Sequence, residues 1–227
     1  EGQLGKKGRQ GMVKRAILAV VIASMVAVPA VADMTVNVAN VPGGYNNGGP
    51  FTATVNGSAA IGIYAPGSSF YTFCLEGGIT YSPGTTYLAT VDAGAISGGG
   101  GLNPDPISDQ SAWLYNNFLD GTLTYLDGYT ALQERSAVQE AIWRFEDEAS
   151  HTTVETLALD LMAQANAAVT GGYTNSNIMA MNLWSGSAYT GTDIQSMMVR
   201  VPVPGAVLLG VLGLGVASAR LRRRSAK

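Results

Sequence analysis

Two apolar segments, one near each end of the 227-residue chain, confine any folded domain to the residues between them. The first covers residues 16–28, follows a basic pair and precedes a run of small residues that ends at Ala32. That order is typical of a secretory signal peptide cleaved between Ala32 and Asp33. A buried core helix is the alternative, but the terminal position and the basic flank favour export. Met12 is the expected start, so residues 1–32 are predicted to be a signal helix with an upstream extension.

The second apolar segment, residues 201–219, contains nineteen uncharged residues and precedes a cluster of arginines. At about 1.5 Å per residue, a helix of this length barely crosses a hydrocarbon core of about 30 Å. The arginines would remain cytoplasmic, which leaves the domain outside the cytoplasm. The segment is therefore predicted to be a hydrophobic helix that initially anchors the chain in the inner membrane.

This tail resembles the PEP-CTERM sorting signal of Gram-negative bacteria, in which a proline motif, an apolar helix and basic residues follow one another. Val203 stands where the family has its name-giving glutamate. The resemblance covers residues 201–227 and implies two processing partners, signal peptidase and an exosortase-type membrane protease, and a location at the cell envelope or extracellular surface. A plain C-terminal membrane anchor is the alternative. The residues that carry the signal are Pro202, Pro204, Arg222, Arg223 and Arg224.

The segment between the two ends, residues 33–200, is strongly acidic. It carries fifteen Asp and Glu residues against three arginines, a net charge of −12. This charge opposes non-specific binding to nucleic acid. Abundant Gly, Thr, Ser, Asn and Tyr favour a strand-rich exterior domain.

Short β-prone runs separated by Gly, Pro and Asn clusters predict an antiparallel sheet. Three helices are expected before the last two strands: one capped by Ser108 and ended by Gly121, one over residues 132–148, and one opening on a capping box at residues 152–155. Residues 94–106 are expected to be a loop. The predicted class is α+β, an antiparallel β-sandwich or barrel-like sheet with a helical insert. The predicted strands cover residues 34–39, 51–55, 59–64, 70–76, 86–92, 178–183 and 194–200.

The chain has one cysteine, Cys74, so no disulfide can form within it. An unpaired thiol outside the cytoplasm is expected to be buried, paired with another chain or used chemically. Strand alternation places Cys74 on the face opposite to Tyr71, Phe73 and Leu75.

A strand containing Phe-Cys-Leu-Glu, followed by a helix containing Val-Gln-x-Ala-Ile-Trp, resembles the bacterial thioester domain, also called the TQXA domain. The resemblance spans roughly residues 59–200. It implies that the Cys74 sulfur and the Gln139 side-chain carbonyl condense, with loss of ammonia, into an internal thioester. An amine such as a lysine of another macromolecule can open this bond. Gln139 and Trp143 share a helix face at i, i+4 spacing. Aromatic side chains would keep water from the bond, and the candidates are Trp143, Trp113 and Tyr115.

The leading expectation is an exported adhesin domain that reacts once with an extracellular macromolecule and is not a turnover enzyme. The alternative is a non-catalytic structural protein of the extracellular matrix or biofilm, with the same fold and sorting tail. A Cys74 hydrolase would need an orienting partner and a motif that the sequence lacks. No metal or cofactor is expected, because His151 has no companion at zinc-ligand spacing and residues 146–148 lack a calcium-loop pattern.

Overall fold

The computed structural model of the chain describes residues 33–41, 49–96, 104–148, 154–186 and 193–203. Ala32 and the signal segment before it lie outside the described residues. Most of the predicted tail lies outside them as well, including Pro204, Arg222, Arg223 and Arg224. Among the helices described, none combines the length and the apolarity needed to cross a membrane. Both end segments therefore stay predictions.

The described residues form eight strands: β1 (Thr35–Asn40), β2 (Phe51–Val55), β3 (Ser69–Thr72), β4 (Thr85–Asp92), β5 (Gly94–Ala95), β6 (Asp105–Pro106), β7 (Ile178–Trp184) and β8 (Asp193–Arg200). Six of them form one antiparallel sheet in the order β3-β2-β1-β4-β7-β8, and β5 pairs with β6 in a separate ribbon. The large sheet curls into a half-barrel. The predicted α+β class is confirmed, with one curled sheet among the described strands and three helices between β6 and β7.

The three helices are α1 (Asp109–Asp120), α2 (Ala131–Phe145) and α3 (Glu155–Thr170). Ser108 caps α1 as predicted, because its side chain accepts a hydrogen bond from the Ser111 N–H. Gly121 ends α1 in the left-handed conformation that glycine adopts without steric cost. A capping box between Thr130 and Gln133 starts α2. These local signals fix where the helices begin and end before any packing is considered.

The predicted strand at residues 59–64 is wrong. Ile61 and Tyr64 instead close a tight turn through a two-residue antiparallel bridge. Gly62 lies in this turn at φ 60°, and a side chain there would collide with the Arg200 carbonyl. The Gly62 conformation breaks the extended backbone, so the apolar residues around it cannot continue as a strand.

Three predicted boundaries also differ from the structure. The helix predicted over residues 132–148 ends at Phe145, because Asp147 turns the chain at φ 57°. Glu155 is the first residue of α3 and Val154 is its N-cap, so the predicted capping box, which needs Glu155 at the third position, is wrong. Residues 94–106 are not a loop throughout, because their two ends pair as β5 and β6.

The curled sheet has hydrophobic cores on both faces. Strands β7 and β8 contribute to both, since Ala180 and Met198 pack toward the helices whereas Met181 and Met197 face the other way. The helix-side core contains these outward residues together with Leu114, Ile142 and Leu161. The inner-face core is enclosed by the curl of the sheet and contains Val36, Ala53, Ala89, Met181 and Met197.

Leu161→Ala is expected to lower the free energy of unfolding by about 2–5 kcal/mol, because this fully buried side chain would leave a cavity under α3. Leu159→Ala is the matched control on the same helix, since Leu159 is 49% exposed, and it should change the free energy by less than about 0.5 kcal/mol. Denaturant unfolding measures both variants. Equal effects at the two positions would contradict the described orientation of α3.

Candidate functional site

Cys74 lies where the chain changes strand partners. After Thr72 the chain leaves β2 and pairs with β8: the Leu75 N–H donates to the Ser196 carbonyl at 2.9 Å, and the Met198 N–H donates to the Phe73 carbonyl at 3.0 Å. Cys74 itself lies opposite Met197 in an antiparallel bridge. Because hydrogen-bonding directions alternate along a strand, the N–H and C=O of Cys74 point away from β8. They face the opening beside β2.

The side-chain amide of Gln139 fills this opening. The register that pairs Phe51 with Thr72 would put Gly49 opposite Cys74. The Gln139 amide lies between them instead. Its Oε1 accepts hydrogen bonds from the Cys74 N–H at 2.9 Å and the Gly49 N–H at 3.2 Å, and its Nε2 donates to the Cys74 carbonyl at 2.8 Å. The carboxamide therefore acts like one peptide group of an intervening strand.

Helix α2 carries Gln139 into this position. Residues 136–143 of the helix are buried, and Gln139 has no exposed surface. Trp143, one turn later, packs into the inner-face core together with Cys74. Ile142 and Val138 pack into the helix-side core. The helix thus bridges the two cores at the edge of the sheet, with Gln139 at the junction.

The geometry polarises the amide of Gln139. Two N–H groups converge on one carbonyl oxygen in a site closed to water, which is the arrangement that stabilises negative charge on that oxygen during acyl transfer. Cys74, the residue whose backbone holds the amide at both ends, carries the candidate nucleophile and is 5% exposed. Burial raises the pKa of the Cys74 thiol, and the nearby charge of Glu76 raises this pKa further. The resting sulfur is therefore a protonated thiol, and attack on the amide carbon requires removal of that proton.

Gly49 is a functional residue that sequence reasoning missed. A Cβ placed on it would lie 2.7 Å from Cδ1 of Phe73 and 3.0 Å from Oε1 of Gln139. Only glycine lets the Gly49 backbone N–H reach the amide oxygen at this distance. The sequence holds no local sign of this role, because Gly49 meets Cys74 only through the β2–β3 register.

The structure places the predicted pocket residues at different distances from the sulfur. Trp143 shares the inner-face core with Cys74. Tyr115 is fully buried in the helix-side core, where its ring contacts Phe73 edge to face at a centroid distance of 6.2 Å. Trp113 packs against the helix-side core and has no described contact with Cys74 or Gln139. The side chain of Phe73 separates to the face away from Cys74, as the strand alternation predicts, yet it still borders Gly49.

Tyr81 was also missed. Its ring packs edge to face on Phe51 at 5.1 Å, and its hydroxyl donates to Oδ1 of Asn40 at 2.8 Å. Burial raises the pKa of Tyr81, and the proximity of Cys74 contributes to the shift. An aromatic side chain outside both sequence motifs therefore lies near the sulfur.

Within the described residues no group of His, Cys, Asp and Glu side chains is arranged to hold a metal ion. Pro202 is described but lies beyond β8, away from the pair formed by Cys74 and Gln139. Comparisons with protein-family models, with curated proteins and with solved structures find no match to this chain.

Gly49→Ala is expected to push the Gln139 amide and the Phe73 ring away from the Gly49 N–H. The strain should lower the free energy of unfolding by about 1–3 kcal/mol in denaturant titrations. Gly78→Ala is the matched control, because a Cβ at Gly78 meets nothing within 4 Å, and it should be nearly neutral. A neutral Gly49→Ala variant would show that the opening between β2 and Cys74 is wider than described.

Proposed function

We propose that this chain is an exported bacterial surface protein whose domain joins Cys74 to Gln139 in an internal thioester and uses it once for covalent attachment. The observation that carries the proposal is the Gln139 carboxamide held on the backbone of Cys74, with its oxygen between two N–H donors. No other buried carboxamide in the described residues is bound on both sides to the backbone of a cysteine, since Cys74 is the single cysteine of the chain.

The bond-forming step follows from this geometry. The Cys74 sulfur attacks Cδ of Gln139, and negative charge develops on Oε1 between the N–H groups of Cys74 and Gly49. The C–N bond then breaks, and the amide nitrogen leaves as ammonia with the proton of the thiol. The product is an acyl group on sulfur, shielded by the same burial that shields Cys74.

The second step transfers the acyl group to a partner. A primary amine attacks the thioester carbonyl, an amide bond forms, and the Cys74 thiol is released with a proton. The domain returns with its carboxamide consumed, so one chain supports one attachment. This is adhesion chemistry and not repeated turnover.

Lysine usage favours a partner other than a second copy of the domain. Lysine occurs only at Lys6, Lys7, Lys14 and Lys227, so residues 33–200 contain none. The domain therefore has no lysine that could consume its own thioester or that of a neighbouring copy. A lysine-bearing extracellular macromolecule fits this chemistry.

The two end segments complete the proposal. The signal-peptide pattern before Asp33 and the sorting tail after Arg200 favour export and display at the envelope of a Gram-negative cell. The barrel-like sheet with its helical insert is the frame expected from the resemblance to thioester domains.

A structural role without the bond is the second candidate, and one observation favours it. The three hydrogen bonds of Gln139 satisfy buried backbone groups of Cys74 and Gly49 that would otherwise lack strand partners. A matrix protein could keep this arrangement for stability alone.

Intact mass spectrometry of the purified, non-reduced protein should give a mass lower than the sequence predicts by one ammonia. Methylamine should then add its own mass at Gln139. Both effects should vanish in Cys74→Ala and Gln139→Ala, whereas Gln110→Ala, a glutamine change on α1 remote from Cys74, should keep them. The full sequence mass in the wild-type protein would reject the thioester and leave the structural role.

Covalent labelling tests the inference about the partner. A fluorescent primary amine should become attached to the wild-type protein and not to Cys74→Ala, and the label should survive denaturation. Concentrated protein alone should stay monomeric on denaturing gels, because the domain supplies no lysine acceptor. Dimers that depend on Cys74 would contradict this choice of partner.

A further inference from the structure

We propose that Glu76 accepts the proton of the Cys74 thiol while the thioester forms. This inference rests on the proposed function and names the base that its first step requires. Glu76 is 2% exposed and lies two residues after Cys74.

The carboxylate of Glu76 is fixed against β8 beside the residue that faces Cys74. Its Oε2 accepts a hydrogen bond from the Ser196 N–H at 2.8 Å, and its Oε1 accepts from Oγ of Ser196 at 3.3 Å. Ser196 precedes Met197, the partner of Cys74 across the antiparallel bridge. The Glu76 backbone is held as well, since its carbonyl accepts from Nε2 of Gln195 at 2.9 Å. A buried acceptor is thus locked in the immediate surroundings of the sulfur.

The charge of Glu76 is felt at the thiol. Burial and Glu76 together raise the pKa of Cys74, so a free thiolate is disfavoured in the folded domain. Sulfur attack is then feasible only when the proton leaves as the S–C bond forms. A carboxylate at this position can take the proton in that step, because general-base transfer needs no stable thiolate.

The proton balance is complete without a further reactant. The thiol proton passes to Glu76 as sulfur bonds to Cδ of Gln139. Glu76 then returns this proton to the amide nitrogen, the C–N bond breaks, and ammonia leaves. The carboxylate ends in its starting state.

The chain supplies a closely matched buried carboxylate for comparison. Glu146 is 8% exposed and accepts hydrogen bonds from both the N–H and the hydroxyl of one serine, Ser108, at 3.2 and 2.7 Å. Glu76 makes the same pair of contacts with Ser196. Glu146 has no described contact with Cys74 or Gln139, so it controls for loss of a buried, serine-bound carboxylate.

The test measures how fast the thioester re-forms in the full chain. Ammonia opens the bond and restores the thiol and the carboxamide, and after its removal intact mass follows the renewed loss of ammonia. Glu76→Gln keeps an acceptor for Ser196 but cannot take a proton, and it should slow re-formation by about 100-fold or more. Glu146→Gln should re-form the bond within about twofold of the wild-type rate, because general-base effects are confined to the group beside the reacting atoms.

The outcomes separate the two proposals. A wild-type protein without the mass deficit rejects the thioester, and the role of Glu76 with it. A wild-type protein with the deficit and a Glu76→Gln variant of equal rate rejects only the role of Glu76. Should Glu76→Gln fail to fold, Glu76→Asp decides, because it keeps the charge but withdraws the carboxylate by one methylene. Slowing by about tenfold or more, with unchanged unfolding free energy, supports the proposal, and a wild-type rate overturns it.

Discussion

One side-chain amide holds the structure together at the place where the sheet changes partners. The N–H and C=O of Cys74 point into an opening beside β2, and Gln139 satisfies both of them and the Gly49 N–H. Unsatisfied, these buried groups would each cost about 1–3 kcal/mol. The position of α2, the gap between β2 and β3 and the burial of Cys74 all follow from this contact. Strength and candidate chemistry thus come from the same three hydrogen bonds.

The dryness of this junction has two opposed consequences. Exclusion of water would protect an acyl group on sulfur from hydrolysis, and it strengthens the pull of two N–H groups on the amide oxygen. The same exclusion holds the Cys74 thiol in its neutral form. A site built this way therefore needs a fixed proton acceptor beside the sulfur. Glu76, bound to Ser196, is placed where such a group would act.

Sequence reasoning found most of the elements and the two central residues. The period-two runs located β1, β2, β4, β7 and β8, and local capping signals located α1. Cys74 and Gln139 emerged from two short motifs, and the structure brings them together across 65 positions. The errors occurred where one residue overrode the pattern. Gly62 broke an apolar run into a turn, and Asp147 ended α2 earlier than its periodicity indicated.

The sequence by itself determined the α+β order of elements, the acidic lysine-free domain and the presence of a cysteine strand before a glutamine helix. These properties depend on residues close together in the chain, where periodicity and capping act. Only the tertiary structure decided that Gly49 donates to the Gln139 oxygen and that the Glu76 carboxylate lies on Ser196. Both contacts depend on which strands pair and in which register. That pairing is a balance of burial and hydrogen bonding over the whole sheet, and no local pattern encodes it.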